Sequence, residues 1–236
     1  MESASRTVDV SVVIPVYNER GNVLPLAAEV QKALTGRLRY ELLFVDDGSA
    51  DGTGDEIEDA GRIDPNVRHV RHEKNRGQSA GVRTGVAAAR AGIVAVLDGD
   101  GQNDPRDIPK LYGRLVSVPR LQLVIGERRE RRDGWLRRMS SRVANGVRSR
   151  MLGDGINDTG CGIKVFYRDR FLGLPAFDHM HRFLPALFQR EGGLVSAVPV
   201  NHRPRQHGRS KYGVGNRLWA GIADIAGVLW LKKRRL

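Results

Sequence analysis

The sequence predicts an α/β fold, a mostly parallel sheet with helices on both faces. Three observations lead there. Short apolar runs alternate with segments of helical spacing over the first 120 or so residues. The runs are continuous instead of alternating apolar with polar, as strands covered on both faces are. The polar clusters Asn18-Glu19, Asp46-Asp47 and Asp98-Gly99-Asp100 each follow such a run, and ligands of these folds bind beyond the carboxyl ends of strands.

Residues 10–16 read as the first strand. Residues 22–34 carry helical spacing, with Asn22 at the N-cap position and Pro25 in the first turn. A buried strand is expected over 41–45, a short helix over 51–60 and a third strand over 66–70. The small residues of 77–90 suit a helix packed closely on a sheet. A fourth strand over 93–97 precedes a helix over 105–116. Further on, strands are expected over 121–126, 162–167 and 195–200, and helices over 135–152 and 179–190. With no repeat and no low-complexity linker, one domain is expected, in two halves (about 10–120 and about 121–217) followed by a tail over about 218–236.

In residues 218–231, Leu218, Trp219, Ile222, Ile225, Ala226, Leu229 and Trp230 recur at helical spacing. The stretch is too short, and too interrupted by Asp224, to span a bilayer, which takes about 20 apolar residues. Two tryptophans beside Lys232-Lys233-Arg234-Arg235 suit an interfacial helix on anionic lipid. A final helix packed on the core explains the same stripe.

Among 236 residues, 39 Lys and Arg against 27 Asp and Glu leave a net charge of +12. The excess is clustered at Arg128–Arg138, 203–211 and the C-terminus, and suggests an anionic partner such as nucleic acid, a phosphate-bearing substrate or an acidic membrane surface. A solvated basic face is the plainer reading of each cluster alone. A single cysteine, Cys161, excludes an internal disulfide framework. The N-terminal residues are polar and do not read as a signal peptide. No His/Cys cluster has zinc-ligand spacing.

The segment from Val94 to Pro105 carries the most chemistry. An apolar run ends in Asp98-Gly99-Asp100-Gly101-Gln102. Residues two apart share a strand face but stand about 7 Å from each other, so the two carboxylates converge on one ion only if the chain turns there, which Gly99 and Gly101 permit. Hard oxygen ligands suit Mg²⁺ or Mn²⁺, which keep waters and hold substrate phosphates. A polar turn between a strand and a helix is the alternative.

Three motifs in order, Ile14-Pro15-Val16-Tyr17-Asn18-Glu19, Val45-Asp46-Asp47-Gly48-Ser49 and Asp98-Gly99-Asp100-Gly101-Gln102, resemble those of family 2 glycosyltransferases. Three more, Gly126-Glu127-Arg128, Asp158-Thr159-Gly160-Cys161-Gly162-Ile163-Lys164 and Arg205-Gln206-His207-Gly208-Arg209-Ser210-Lys211-Tyr212, make the chain look most like the polyprenyl-phosphate (dolichyl-phosphate mannosyltransferase-like) branch. The resemblance covers roughly residues 10 to 231 and implies a GT-A fold, a UDP- or GDP-sugar donor and a divalent cation, Mg²⁺ or Mn²⁺. By the same resemblance, Pro15, Tyr17, Glu19, Val45 and Asp47 line the donor pocket, with Asp98, Gly99 and Asp100 beside the diphosphate. Asp98, Asp100 and Gln102 hold the metal, and Arg128, Arg205 and Lys211 handle phosphate. Asp158 is the acidic residue near the acceptor, or else caps the turn before the strand at 163. Asp46 either contacts ligand or supports its loop. Cys161 reads as a buried small residue, and His179, His181 and Arg182 as helix-surface residues, with approach to the acceptor side as the alternative.

The expected reaction is an inverting transfer of a sugar onto a polyprenyl phosphate, at the cytoplasmic face of a membrane to which the protein is peripherally bound. A family 2 transferase acting on a sugar or glycan hydroxyl is the alternative. A nucleic-acid-binding module would use the charge but leave the acidic strand ends unexplained, since carboxylates repel a phosphate backbone; no nucleic acid is therefore expected. The sequence supports no particular oligomeric state.

Overall fold

The computed structural model describes residues 8–128, 150–156, 158–204 and 215–234, the side chains of the last stretch from 223 onward. Seven strands form one sheet in the order β3-β2-β1-β4-β6-β5-β7. They are β1 (Val10–Val16), β2 (Tyr40–Asp46), β3 (Val67–Arg71), β4 (Ile93–Val96), β5 (Leu121–Arg128), β6 (Lys164–Tyr167) and β7 (Leu194–Val200). All pairings are parallel except those of β6, which runs antiparallel between β4 and β5. The helices are α1 (Val23–Leu34), α2 (Thr53–Ile63), α3 (Gln78–Ala88), α4 (Ile108–Ser117), α5 (Arg168–Leu172), α6 (Leu184–Arg190) and α7 (Gly215–Lys233).

The central strands β1, β2 and β4 are largely apolar because both faces are covered. Val10, Val12, Ile14 and Val16 of β1, with Leu42 and Phe44 of β2, pack toward α1, α2 and α4. Val13, Leu43 and Val45 pack on the other face with Val82 and Val86 of α3 and Phe171, Leu184 and Phe188 beyond. The small-residue helix lies as close as expected: a Cβ on Gly85 would fall 2.3 Å from Val13 Cγ1. One acid is buried at the opposite end of the sheet from the strand-end carboxylates. Glu41 accepts from Ser11 Oγ, Arg68 Nη1 and the Arg90 backbone N–H, so its charge is fully paired.

Three local expectations are corrected. Asn22 holds the N-cap position of α1 without capping it; its Nδ2 donates 2.7 Å to Glu19 Oε2 instead. The helix expected over 179–190 is broken into a short 3₁₀ turn, Met180–Arg182, and α6. Pro185 explains the break: having no N–H, it belongs in a first turn, and α6 begins just before it. The segment expected over 105–116 likewise splits into a 3₁₀ turn, Pro105–Asp107, and α4.

The end of α7 packs on the core. Val228 is fully buried among the residues of the α3 face, with Ile225 and Leu229 against them. Lys232 Nζ donates to the Leu152 carbonyl, and Arg190 donates to the carbonyls of Leu231 and Arg234. Trp230 stays 56% exposed, with the Arg234 guanidinium 5.0 Å from its ring. Among the described residues no helix is long and apolar enough to cross a membrane. The helix expected over 135–152 lies outside the described residues except for its last turn.

Candidate active site

Chain order reverses between β1 and β4, which lie side by side and parallel, and a crevice at such a point is where open α/β sheets take ligands. Its β1 wall ends in Tyr17, 38% exposed, and in Asn18. Asn18 bonds to the β2 loop through Ser49 Oγ and the Ala50 N–H.

The two acids that close β2 are used internally. Asp46 is completely buried; its Oδ1 accepts from the Ser49 N–H and its Oδ2 faces Arg71 and His69. It supports the loop. Asp47 accepts from the backbone N–H groups of Arg76 and Gly77, at 2.9 and 2.8 Å, and lies 2.7 Å from His72 Nδ1. Its carboxylate fastens the 72–77 loop over the β2 end. Val45 has no exposed surface and meets the α3 glycines, so its side chain is core, not pocket lining. Pro15 and Glu19 are partly exposed.

Beyond β4, Asp98 is half-buried and Asp100 is 8% exposed. Gln78 Nε2, at the start of α3, donates 2.8 Å to Asp98 Oδ1. Asp100 Oδ1 accepts from the Gln102 N–H. Burial, and after it the neighbouring charge of Asp100, raises the Asp98 carboxyl above its ordinary value, with Lys164 pulling it back. The carboxylates of Asp98 and Asp100 and the side-chain amide of Gln102 are hard oxygen donors of the kind that fits a dication. Among the described residues no third acid, histidine or cysteine joins them. Gly101 supplies the left-handed turn (φ +71°). Gly99 does something else: a Cβ there would fall 2.6 Å from Val16 Cγ1, so it lets the loop press onto β1.

The same loop is sewn to the chain leaving β7. The Gln102 carbonyl accepts from the Arg203 N–H, and Asn103 bridges His202. Arg203 also pairs with Glu29 and Asp104. The segment that continues to Arg205 and Lys211 thus starts beside the acidic loop; those two residues, like Arg129–Arg138, lie outside the described residues.

On the opposite wall, Arg128 at the end of β5 donates from Nε and Nη2 to the two oxygens of Asp158, 2.7 Å each. Asp158 is a partner of Arg128, and its backbone carbonyl accepts from the Cys161 N–H in the turn before β6. Cys161 is buried, and burial pushes its thiol up to about 11, so it is no nucleophile at neutral pH.

Three neighbours of Asp98 escape the sequence-based expectations: Gln78, Lys164 and His181. Lys164 lies opposite Val96 across the antiparallel β4–β6 ladder. It is 6% exposed, and its Nζ donates to the Cys161 carbonyl at 2.5 Å. Burial holds its ammonium below the ordinary lysine value, with Asp98 opposing. A Cβ on Gly162 would sit 2.1 Å from Asp98 Oδ2, so the bare backbone there is what makes room for the carboxylate. His181 is not a helix-surface residue: its Nδ1 lies 2.7 Å from Ser79 Oγ, and burial drives its pKa well below the ordinary value. The motif around Gly162 and Lys164 was visible; the position of β6 between β4 and β5, which delivers both to Asp98, was not.

Comparison with known proteins agrees with this architecture. The model of glycosyl transferase family 2 matches residues 11–173. The dodecaprenyl-phosphate galacturonate synthase of Rhizobium johnstonii is 34% identical over 97% of this chain and 68% of its own length. The undecaprenyl-phosphate 4-deoxy-4-formamido-L-arabinose transferase of Edwardsiella ictaluri is 34% identical over 87% of this chain and 63% of its own. The chain thus spans about two thirds of the length of these relatives. Among solved structures, glucosyl-3-phosphoglycerate synthase from Mycobacterium tuberculosis, in complex with Mn²⁺, UDP-glucose and phosphoglyceric acid, superposes with a TM-score of 0.71 at 20% identity, over 95% of this chain and 79% of that one. Mannosyl-3-phosphoglycerate synthase from Rubrobacter xylanophilus does so at 0.75 and 19%, over 97% and 76%. These likenesses establish the GT-A fold, and the sequence matches establish the rest: the chain belongs to glycosyltransferase family 2, and relatives it matches are polyprenyl-phosphate sugar transferases.

Proposed function

We propose that the protein transfers a sugar, with inversion, from a nucleoside-diphosphate sugar to a polyprenyl phosphate. The observation that carries this reading is the Arg128–Asp158 pair facing the Asp98–Asp100 loop. A sugar hydroxyl needs a base to take its proton as it attacks. A phosphate monoester, with a second pKa near 6, arrives mostly dianionic at neutral pH. Both oxygens of Asp158 are already engaged by Arg128, an arrangement that suits an acceptor needing orientation more than deprotonation.

Asp98, Asp100 and Gln102 would hold Mg²⁺ or Mn²⁺, which when bound offsets charge developing on the leaving diphosphate. Gln78 holds Asp98 in place, and the Asp47-fastened loop closes the nucleotide side. Tyr17 and Glu19 border the donor, and Arg128 meets phosphate oxygens with a planar fork. Arg205 and Lys211 would add cationic charge from the segment that starts at Arg203. Trp230 and the basic C-terminus suit contact with an anionic membrane surface, at the cytoplasmic face in this reading.

The test combines the purified protein with a panel of labelled UDP- and GDP-sugars, polyprenyl phosphate and Mn²⁺. Label should enter the organic phase and be lost with chelator. Label found only in a water-soluble product would overturn the reading in favour of a hydroxyl acceptor.

A further inference from the structure

Beside Asp98 a cavity of about 200 Å³ runs under the ends of β4 and β6, lined among others by Gln78, Asp98, Thr159, Lys164, His181 and Arg182. That is room for roughly six or seven waters, comparable to one sugar ring. Its charge is out of balance. Lys164 is more than nine-tenths buried and spends one of its three N–H donors on the Cys161 carbonyl. Arg182 is half-buried, and among the described residues no carboxylate pairs with it or with Lys164. Asp98, the one acid in the lining, is shared with Gln78 and belongs to the proposed metal site. Among the described residues, two cations against one committed carboxylate leave a net positive charge around the cavity, and a buried charge such as that of Lys164 is costly unless paired.

We infer that this cavity receives the transferred sugar and that the sugar carries a carboxylate, as a hexuronic acid does, which pairs with Lys164 and Arg182. The inference rests on the proposed transferase reading and adds the class of donor to it. The cavity adjoins Asp98, so a sugar seated there keeps its diphosphate at the Asp98–Asp100 loop. A neutral hexose would leave Arg182 without an anion and Lys164 with only the attraction of Asp98 and Asp158, both engaged elsewhere, and sites built to pair with a polar group reject ligands that lack it. His181, held neutral and fixed by Ser79, adds a ring nitrogen for hydroxyls without adding charge.

Calorimetric titration of the full chain with Mn²⁺ and UDP- or GDP-linked hexuronate, against the matching neutral hexose nucleotide and the bare nucleoside diphosphate, tests this without turnover. The uronate donor should bind at least about tenfold more tightly than the hexose donor, and initial rates of lipid-linked product should show the same order. Arg182→Gln should abolish that preference while leaving affinity for the bare nucleoside diphosphate within about twofold. Lys164→Met should also abolish the preference, read as the ratio of the affinities for the two donors, and Arg182, being less buried, provides the test if Lys164→Met does not fold. Equal affinity for both donors in the native chain overturns the inference. So does an equal loss for both donors and the nucleoside diphosphate in Arg182→Gln, which would assign the cations to the diphosphate. Transfer of neutral hexose to lipid at full rate sinks the uronate assignment alone; absence of lipid product from every donor sinks the transferase reading.

Discussion

Arg128 grips Asp158 through two donors, Nε and Nη2, each 2.7 Å from a different carboxylate oxygen, with the arginine 18% and the aspartate 7% exposed. A carboxylate held this way is a poor proton acceptor, because protonation would break a paired, partly buried ion. Asp158→Asn should therefore lower kcat by about 10- to 100-fold, through a less well-oriented Arg128, and leave the acid limb of the pH–rate profile in place. A collapse as deep as that of Asp100→Ala, with donor binding intact and the acid limb gone, would make Asp158 a general base.

The acidic loop leads to a second expectation. Asp100 accepts from the Gln102 N–H and disfavours ionisation of Asp98, so removing it would dismantle the proposed dication site while relieving Asp98. Asp100→Ala should cut transfer by roughly a thousandfold, in line with the several kcal/mol that metal stabilisation contributes. Chelation should inactivate the native chain comparably, with recovery on adding Mn²⁺. Calorimetry should show nucleotide affinity in Asp100→Ala no longer rising with Mn²⁺; retained Mn²⁺ dependence would contradict the assignment.

Asp47 anchors the 72–77 loop by two backbone N–H groups and the His72 ring. Hydrogen bonds to a charged acceptor contribute about 1.5–3 kcal/mol each, with losses that do not add. Asp47→Ala should cost about 2–4 kcal/mol in urea denaturation and weaken nucleotide binding as the loop opens. Asp47→Asn, which keeps one acceptor oxygen, should cost less than half of that. Unchanged stability in Asp47→Ala, with donor binding lost, would restore Asp47 as a direct ligand contact.

What the sequence made legible follows from range. The strands before residue 100 and the acids that end them were readable because each rests on a local run and a local turn. Gly101 took the left-handed backbone that its place in the motif demanded. Tertiary pairing was not readable. β6 runs antiparallel between β4 and β5, and its register sets Lys164 opposite Val96, which no local pattern encodes. His181 looked like a helix-surface residue because 179–190 carries helical spacing; Pro185 broke that helix, and the preceding turn folded His181 inward onto Ser79. Val45 lies within a motif expected to bind the donor yet is fully buried, since a motif does not say which of its side chains face the crevice.

Cys161 offers a check on burial. Its thiol is pushed from 9.0 up to about 11 by burial. The native state thus favours the protonated form, and that stabilisation is complete below about pH 9 and lost as pH rises toward 11. Native protein at pH 8 should resist iodoacetamide for hours and be alkylated promptly in denaturant. Between pH 9 and 11 the native chain should lose more stability than Cys161→Ala does. Rapid alkylation of the native protein would refute the buried environment.

The contact between Gly162 and Asp98 gives the most local test of the site's construction. A Cβ at 162 would lie 2.1 Å from Asp98 Oδ2 and 2.4 Å from Asn103 Oδ1. Both neighbours are short side chains with little freedom to retreat: Asp98 is held by Gln78, and Asn103 Oδ1 accepts from the Asp98 N–H. Gly162→Ala must therefore displace the carboxylate or the start of β6. A misplacement of about 1 Å at a reacting centre can cost about a hundredfold in rate, and transfer should fall by at least that much, with Mn²⁺-dependent nucleotide binding reduced in parallel. Gly160→Ala is the control, because its Cβ would meet Arg128 Nη2 at 3.5 Å, an ordinary contact, and it should keep most of the activity. If both variants behaved alike, the bare backbone at 162 would not be what seats Asp98.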